Sequence, residues 1–137
     1  MNREELADTL PQTDRAGVFS LPAHDIPAVA EVASAQDFAV FRVTLQGSTE
    51  AGEVLQRLAE QLQFPDWFGQ NWDALADCLT DFSWREAPGY ALILENLGDF
   101  RAAGDDDFDT LIEILSDASA SWGSLGVAFW AFLVLEA

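Results

Sequence analysis

Two stretches of the chain are apolar without a break, Tyr90-Ala91-Leu92-Ile93-Leu94 and Val127 to Leu135. Runs of this kind between turn formers predict strands buried on both faces, as in a parallel sheet. A third strand is predicted over Phe38 to Leu45, where Phe41, Val43 and Leu45 alternate with Arg42 and Thr44. Between the strands the spacing changes to that of helices. Gly47 ends the strand, and Ser48 or Thr49 is the expected cap of a helix carrying Ala51, Val54, Leu55, Leu58 and Leu62 on one face. Glu53 and Arg57, four residues apart, are expected to pair on its outer side. Pro65 is expected to stop this helix, and the loop Asp66 to Gln70 follows.

Asn71 is a natural cap for the next helix, whose inner side is read as Trp72, Leu75, Ala76, Leu79 and Phe82. Pro88 and Gly89 then turn the chain. A further helix begins at Asp105, Asp106 and Asp107, which suit the positive end of its dipole, and buries Phe108, Leu111, Ile112, Leu115, Ala118 and Trp122. Gly123 is its expected stop. Upstream the pattern is weaker: a short polar helix over residues 2 to 10, a linker from Pro11 to Gly17, a short strand Val18 to Leu21, and a helix capped by Asp25 with Pro27 in its first turn. Of this stretch, residues 2 to 17 are expected to form a loosely attached tail.

Strands alternating with helices imply right-handed crossovers and an α/β layered domain. The expected fold is a small three-stranded parallel sheet packed with helices, with Val18 to Leu21 as a candidate fourth strand at the N-terminal edge. The chain has 137 residues, half of them hydrophobic, enough for a single core.

Charge narrows the function classes. Against 24 Asp and Glu stand six basic residues, all arginine, for a formal net charge of −18. A field of that sign repels nucleic-acid phosphates and anionic lipid, and it accelerates encounters with a basic protein. One cysteine excludes an internal disulfide, the N-terminus leads into no apolar signal core, and the longest apolar run is far below the roughly 20 residues of a membrane span. The expectation is a cytoplasmic protein that binds neither nucleic acid nor membrane directly.

Catalytic chemistry finds little to work with. His24 is the only histidine and has no nucleophile at motif spacing. Asp73 and Asp77 lie one turn apart and could in principle serve as the acid and base of a hydrolase, a weak signal by itself. The run Gly104 to Asp109 lacks the loop length and terminal glutamate of a calcium hand, Cys78 has no metal-ligand partner near it in sequence, and no phosphate-cradling glycine motif occurs. The expectation is a non-enzyme with no cofactor and no metal. Asp73, Asp77 and Asp81 instead make one acidic stripe on the helix that Asn71 caps, and Trp67 stands in the loop just before it, where no periodicity assigns it to the core. Phe64 and Phe68 read as core plugs that hold this loop.

The segment Trp67-Phe68-Gly69-Gln70-Asn71-Trp72-Asp73-Ala74-Leu75-Ala76-Asp77-Cys78-Leu79-Thr80 resembles the signature of the barstar family, intracellular inhibitors of ribonucleases. The resemblance extends from about Phe38 to Leu135, so that residues 36–137 would form the family's domain and residues 1–35 an N-terminal extension. It implies that the acidic helix face imitates RNA phosphates and blocks a ribonuclease toxin. By position, Asp77 would be the carboxylate entering the basic catalytic cleft and Asp73 its partner. Trp67 would stand for a tyrosine that packs on the enzyme, with Gly69 and Asn71 shaping the surface, Ala76 in place of a tryptophan, and Asp117 in place of an acidic residue that pairs with an enzyme arginine. Ser121 stands where a second acidic residue would be expected. The implied partner is a basic, barnase-like ribonuclease or other cationic toxin; the alternative is a different cationic protein or non-ribonuclease toxin, for which the chain would serve as an interaction or immunity module.

Overall fold

The computed structural model describes residues 2–66 and 68–135. Four strands, β1 (Val18–Ser20), β2 (Ala39–Thr44), β3 (Gly89–Glu95) and β4 (Ala128–Leu133), form one parallel sheet in the order β1-β4-β3-β2. The sheet therefore has four strands, not three, because Val18 to Ser20 pairs with Ala131 to Leu133 along the outer side of β4. Helices α1 (Arg3–Thr9), α2 (Ile26–Ala35), α3 (Ala51–Gln61), α4 (Trp72–Asp81), α5 (Gly98–Ala103) and α6 (Asp105–Ser124), with a 3-10 turn at Ala23–Asp25, complete the described elements.

Alternation along β3 explains its continuous apolar character. Tyr90, Leu92 and Leu94 join a core with residues of α3, α4 and α6, while Ala91 and Ile93 join a second core with Leu6, Leu10 and the inner face of α2. Two cores follow from the strand order. From β2 through β3 to β4 the chain steps across the sheet in one direction, and the return from β1 to β2 passes back over two strands. Crossovers of one hand then place the two sets of helices on opposite faces.

The N-terminal tail is docked rather than loose. Leu6 and Leu10 are buried, and the indole N–H of Trp130 on β4 donates to the Leu10 carbonyl at 2.8 Å. Asn2 caps α1 by accepting the Glu5 N–H at 2.7 Å.

Several helix boundaries differ from expectation for local reasons. Asp25 makes no side-chain cap bond, because it ends a 3-10 turn (Ala23–Asp25) and its backbone is already helical. At α3 the N-cap position falls on Glu50 rather than Ser48 or Thr49, and the Glu53 carboxylate reaches back to accept the N–H groups of Thr49 and Glu50 at 3.3 Å each. Glu53 is thereby occupied with backbone donors, and Arg57 donates to the Thr44 carbonyl at 3.4 Å instead of pairing with it. The end of α3 is set by Gln63 in the left-handed region (φ 57°) ahead of Pro65, with the Phe64 N–H returning to the Ala59 carbonyl at 3.0 Å.

Gly123 remains helical, and Gly126 (φ +78°) is the left-handed residue that closes α6, with the Val127 N–H bonded to the Trp122 carbonyl at 2.9 Å. Gly89 opens β3 rather than simply turning the chain: a Cβ there would lie 2.5 Å from the Phe38 ring. Helix α5 had no periodic signal, since Phe100 is its only buried residue. Among the described residues, no helix is long and apolar enough to cross a membrane.

Candidate protein-binding site

The loop before α4 is built around Asn71. Its Oδ1 accepts the Ala74 N–H at 2.8 Å, one of the helix's unpaired amides, while its Nδ2 donates to the Gly69 carbonyl at 3.4 Å. One side chain thus fastens the loop to the helix start. Between Gly69 and Asn71, Gln70 sits in the left-handed region (φ 53°), a conformation that costs a side-chain-bearing residue about 1 kcal/mol. The loop's underside is aromatic: Phe64 and Phe68, both half-buried, lie with ring centroids 4.9 Å apart, and Phe64 meets Trp84 edge-on at 5.9 Å. Trp67 lies outside the described residues.

Helix α4 divides cleanly. Leu75, Cys78 and Leu79 are buried, Trp72 is half-buried against the same core, and Asp73, Asp77 and Asp81 are exposed. Ala76, read from the sequence as an inner position, is half-buried at the margin, and its carbonyl accepts the Thr80 hydroxyl at 3.0 Å. Burial pushes the Cys78 thiol up to about 11, with smaller contributions from Asp77 and Asp81. A thiol held protonated is no nucleophile.

The helix end is fixed by Phe82, which takes a left-handed conformation (φ 44°) and is stacked on Tyr90 at 4.7 Å and Phe41 at 5.8 Å. Of the three aspartates, Asp81 accepts the Ser83 hydroxyl at 3.1 Å, and among the described residues none of them forms an ion pair. The carboxylates face solvent uncompensated.

A second acidic stripe lies on the neighbouring helix. Asp106, Asp109, Glu113 and Asp117 follow one another at spacings of three and four along α6, all exposed and, among the described residues, without an ion-pair partner. Sequence reasoning singled out Asp117 alone here, although the spacing of the other three carried the signal. Ser121 is exposed one turn beyond it. The two helices are joined by the Trp122 indole N–H, which donates to the Leu79 carbonyl at 2.7 Å.

Such a surface can attract and hold cationic groups but offers little for bond chemistry. Among the described residues, no group of three or more His, Cys, Asp or Glu side chains could hold a metal ion.

The family model for Barstar (barnase inhibitor) matches residues 38–134. No curated protein sequence matches this chain. Among solved structures, the ORC2 protein of Aeropyrum pernix (ADPNP-ADP complexes) superposes with a TM-score of 0.60 at 12% identity, over 98% of this chain and 40% of that one. A chain of Drosophila ORC bound to DNA gives 0.45 at 14% identity, over 96% of this chain and 77% of that one. The likeness to ORC2 is one of fold alone, and this chain spans 40% of its length.

Proposed function

Because the chain belongs to the barstar family, whose model covers residues 38–134, we propose that it inhibits a ribonuclease by seating α4 in the enzyme's basic cleft. Asp77 occupies a phosphate position in that cleft and Asp73 supports it. Gly69 and Asn71 set the shape of the loop, Trp67 packs on the enzyme surface, Ala76 leaves room at the margin, and Asp117 meets a cation at the rim. The observation that carries the reading is the uncompensated carboxylate face of α4, held rigid by the Asn71 clamp at one end and the Phe82 stack at the other. A cleft that binds a polyanion accepts such a face, and the net charge of −18 steers the encounter.

The test is RNA cleavage by barnase-type ribonucleases, including those of the source organism, titrated with wild type and with Asp77→Ala. Inhibition by wild type and its loss in the variant are expected. Equal inhibition by both proteins would remove Asp77 from its role, and no inhibition of any enzyme would remove the ribonuclease.

A second reading keeps the surface and changes the partner to a different cationic protein or a non-ribonuclease toxin. The exposed Ser121 and the small Ala76 favour it, since they leave the margin less acidic and less bulky than the family pattern. Affinity capture with wild type and with Asp77→Ala discriminates, by whether the Asp77-dependent partner is a nuclease.

A further inference from the structure

The two edges of the sheet are finished differently. Beside β2, the carboxamide of Gln61 accepts the Thr44 N–H at 3.3 Å and donates to the Thr44 carbonyl at 3.4 Å, joined there by Arg57. At its Thr44 end that edge is capped by side chains that imitate a strand. At β1 nothing comparable is present among the described residues. The Gly17 carbonyl accepts from the Ala131 N–H at 3.0 Å and the Leu21 N–H donates to the Leu133 carbonyl at 2.9 Å, so the peptide groups of Phe19, two residues from each, also face β4. By alternation, the N–H and C=O groups of Val18 and Ser20 point outward. The strand carries no charge, proline or bulge to discourage pairing.

Phe19 lies between those two residues. It is 46% exposed, and its ring is 5.5 Å from Trp130, which stacks in turn on Phe132 at 5.7 Å. These rings and Leu21 line a groove beside the edge, with Thr9 and Arg15 also on its wall. The other five arginines bind within the chain: Arg3 to Glu31, Arg42 to Glu95, Arg57 to the Thr44 carbonyl, Arg85 to the Glu86 carbonyl, and Arg101 over the Phe108 ring. Arg15 alone has no side-chain partner among the described residues.

We propose that this edge joins a second copy of the chain, β1 pairing antiparallel with β1 about a two-fold axis at Phe19. The edge is complementary to itself. Val18 of one copy meets Ser20 of the other, which satisfies the outward groups of both in four hydrogen bonds, and the two Phe19 residues form the close, non-hydrogen-bonded pair at the centre. Each ring covers the other's groove, and each Arg15 gains a second acidic chain to pair with. An unrelated peptide would have to bring both the register and the aromatic residue, whereas a second copy supplies them by symmetry. The edge is short, so the dimer is weak.

Charge sets a direction that separates this contact from the one on α4. Two copies at −18 each repel, so association strengthens as salt rises, while an acidic face on a basic partner loosens. Sedimentation of the full chain at about 0.05 M and about 0.5 M salt reads the difference. The expected result is a monomer–dimer equilibrium that moves toward dimer at the higher salt and is unchanged by Asp77→Ala. Ser20→Pro removes only an outward N–H and should weaken dimerisation roughly tenfold or more, with the circular dichroism of wild type. Phe19→Ser should do the same and decides the matter if the proline variant does not fold. A monomer at every concentration and both salts, or a dimer indifferent to both edge variants, overturns the proposal.

Discussion

The indole N–H of Trp122 donates to the carbonyl of Leu79 at 2.7 Å, tying the helix that carries Asp117 to the one that carries Asp77. Leu79 is in the last turn of α4, where carbonyls have no partner within the helix, so the bond also finishes that end. Trp122→Phe keeps an aromatic ring beside Tyr90, 5.1 Å away in wild type, but orphans the carbonyl. We expect a loss of about 1 to 2 kcal/mol in urea unfolding. Weaker inhibition of the partner should accompany it, read from the same titration as Asp77→Ala.

Asn71 separates helix capping from loop shape. Asn71→Ala removes the acceptor for the Ala74 N–H and should cost about 1 kcal/mol in thermal or chemical unfolding. Asn71→Asp keeps that acceptor and places a charge at the favourable helix end, but loses the donor to the Gly69 carbonyl. Its stability should stay near that of wild type while its affinity for the partner falls, a split measured by comparing unfolding with binding.

Cys78 and Tyr90 give the protein an alkaline limit. The Cys78 thiol has a folded pKa of about 11 against 9.0 for the free group. Between those values the unfolded chain has lost the proton and the native one retains it, so stability falls as pH rises. The contribution is complete below about pH 9, absent above about pH 11, and on the order of 3 kcal/mol. Burial raises Tyr90 as well, and the sign is the same. Unfolding free energies measured across this range should slope downward, less so in Cys78→Ala and least in the double variant with Tyr90→Phe. A flat profile in wild type would contradict the assignment.

The N-terminal layer can be tested at Leu10, which is 1% exposed and whose carbonyl receives the Trp130 indole. Leu10→Ala should cost about 2 to 5 kcal/mol. Tryptophan fluorescence should shift as Trp130 loses its cover, well before any change at α4.

Association with the partner should slow as ionic strength rises, because the Debye length shrinks to about 8 Å at physiological salt. Stopped-flow rates at several salt concentrations give the slope. A slope of zero would separate affinity from the net charge.

Strands and long helices were legible because their signals are strong. Tyr90 to Leu94 and Val127 to Leu135 could be little else, and Asn71 caps α4 as its type and position suggest. What escaped were features decided by competition among neighbours. Glu53 was available to cap α3 only because its side chain reaches back to Thr49 and Glu50, which no residue preference at 48 or 49 reveals. Gln63, Gln70 and Phe82 adopt left-handed backbone without being glycine, so their turns carried no mark in the sequence. The attachment of residues 3–10 rests on α2, whose neighbour Gln36 donates to the Ala7 carbonyl, and on Trp130, more than a hundred residues away, and local patterning is blind to those distances. The acidic face of α4 was readable in full, and that of α6 only at Asp117.

The pairing of β1 with β4 has a consequence in time. Val18 is matched to Ala131, and the strands between which β4 fits, β1 and β3, are both made before it. During synthesis β1 and α1 emerge early and have no sheet to join until β4 follows. Strand β4 is thus the keystone of this sheet, and until it is inserted the apolar side of α2, strand β1 and the inner edge of β3 are exposed together. A ribosome that stalls short of Ala128 releases a chain in which β2 and β3 can pair but β1 has no strand to join, which makes it a ready substrate for proteolysis or chaperone capture.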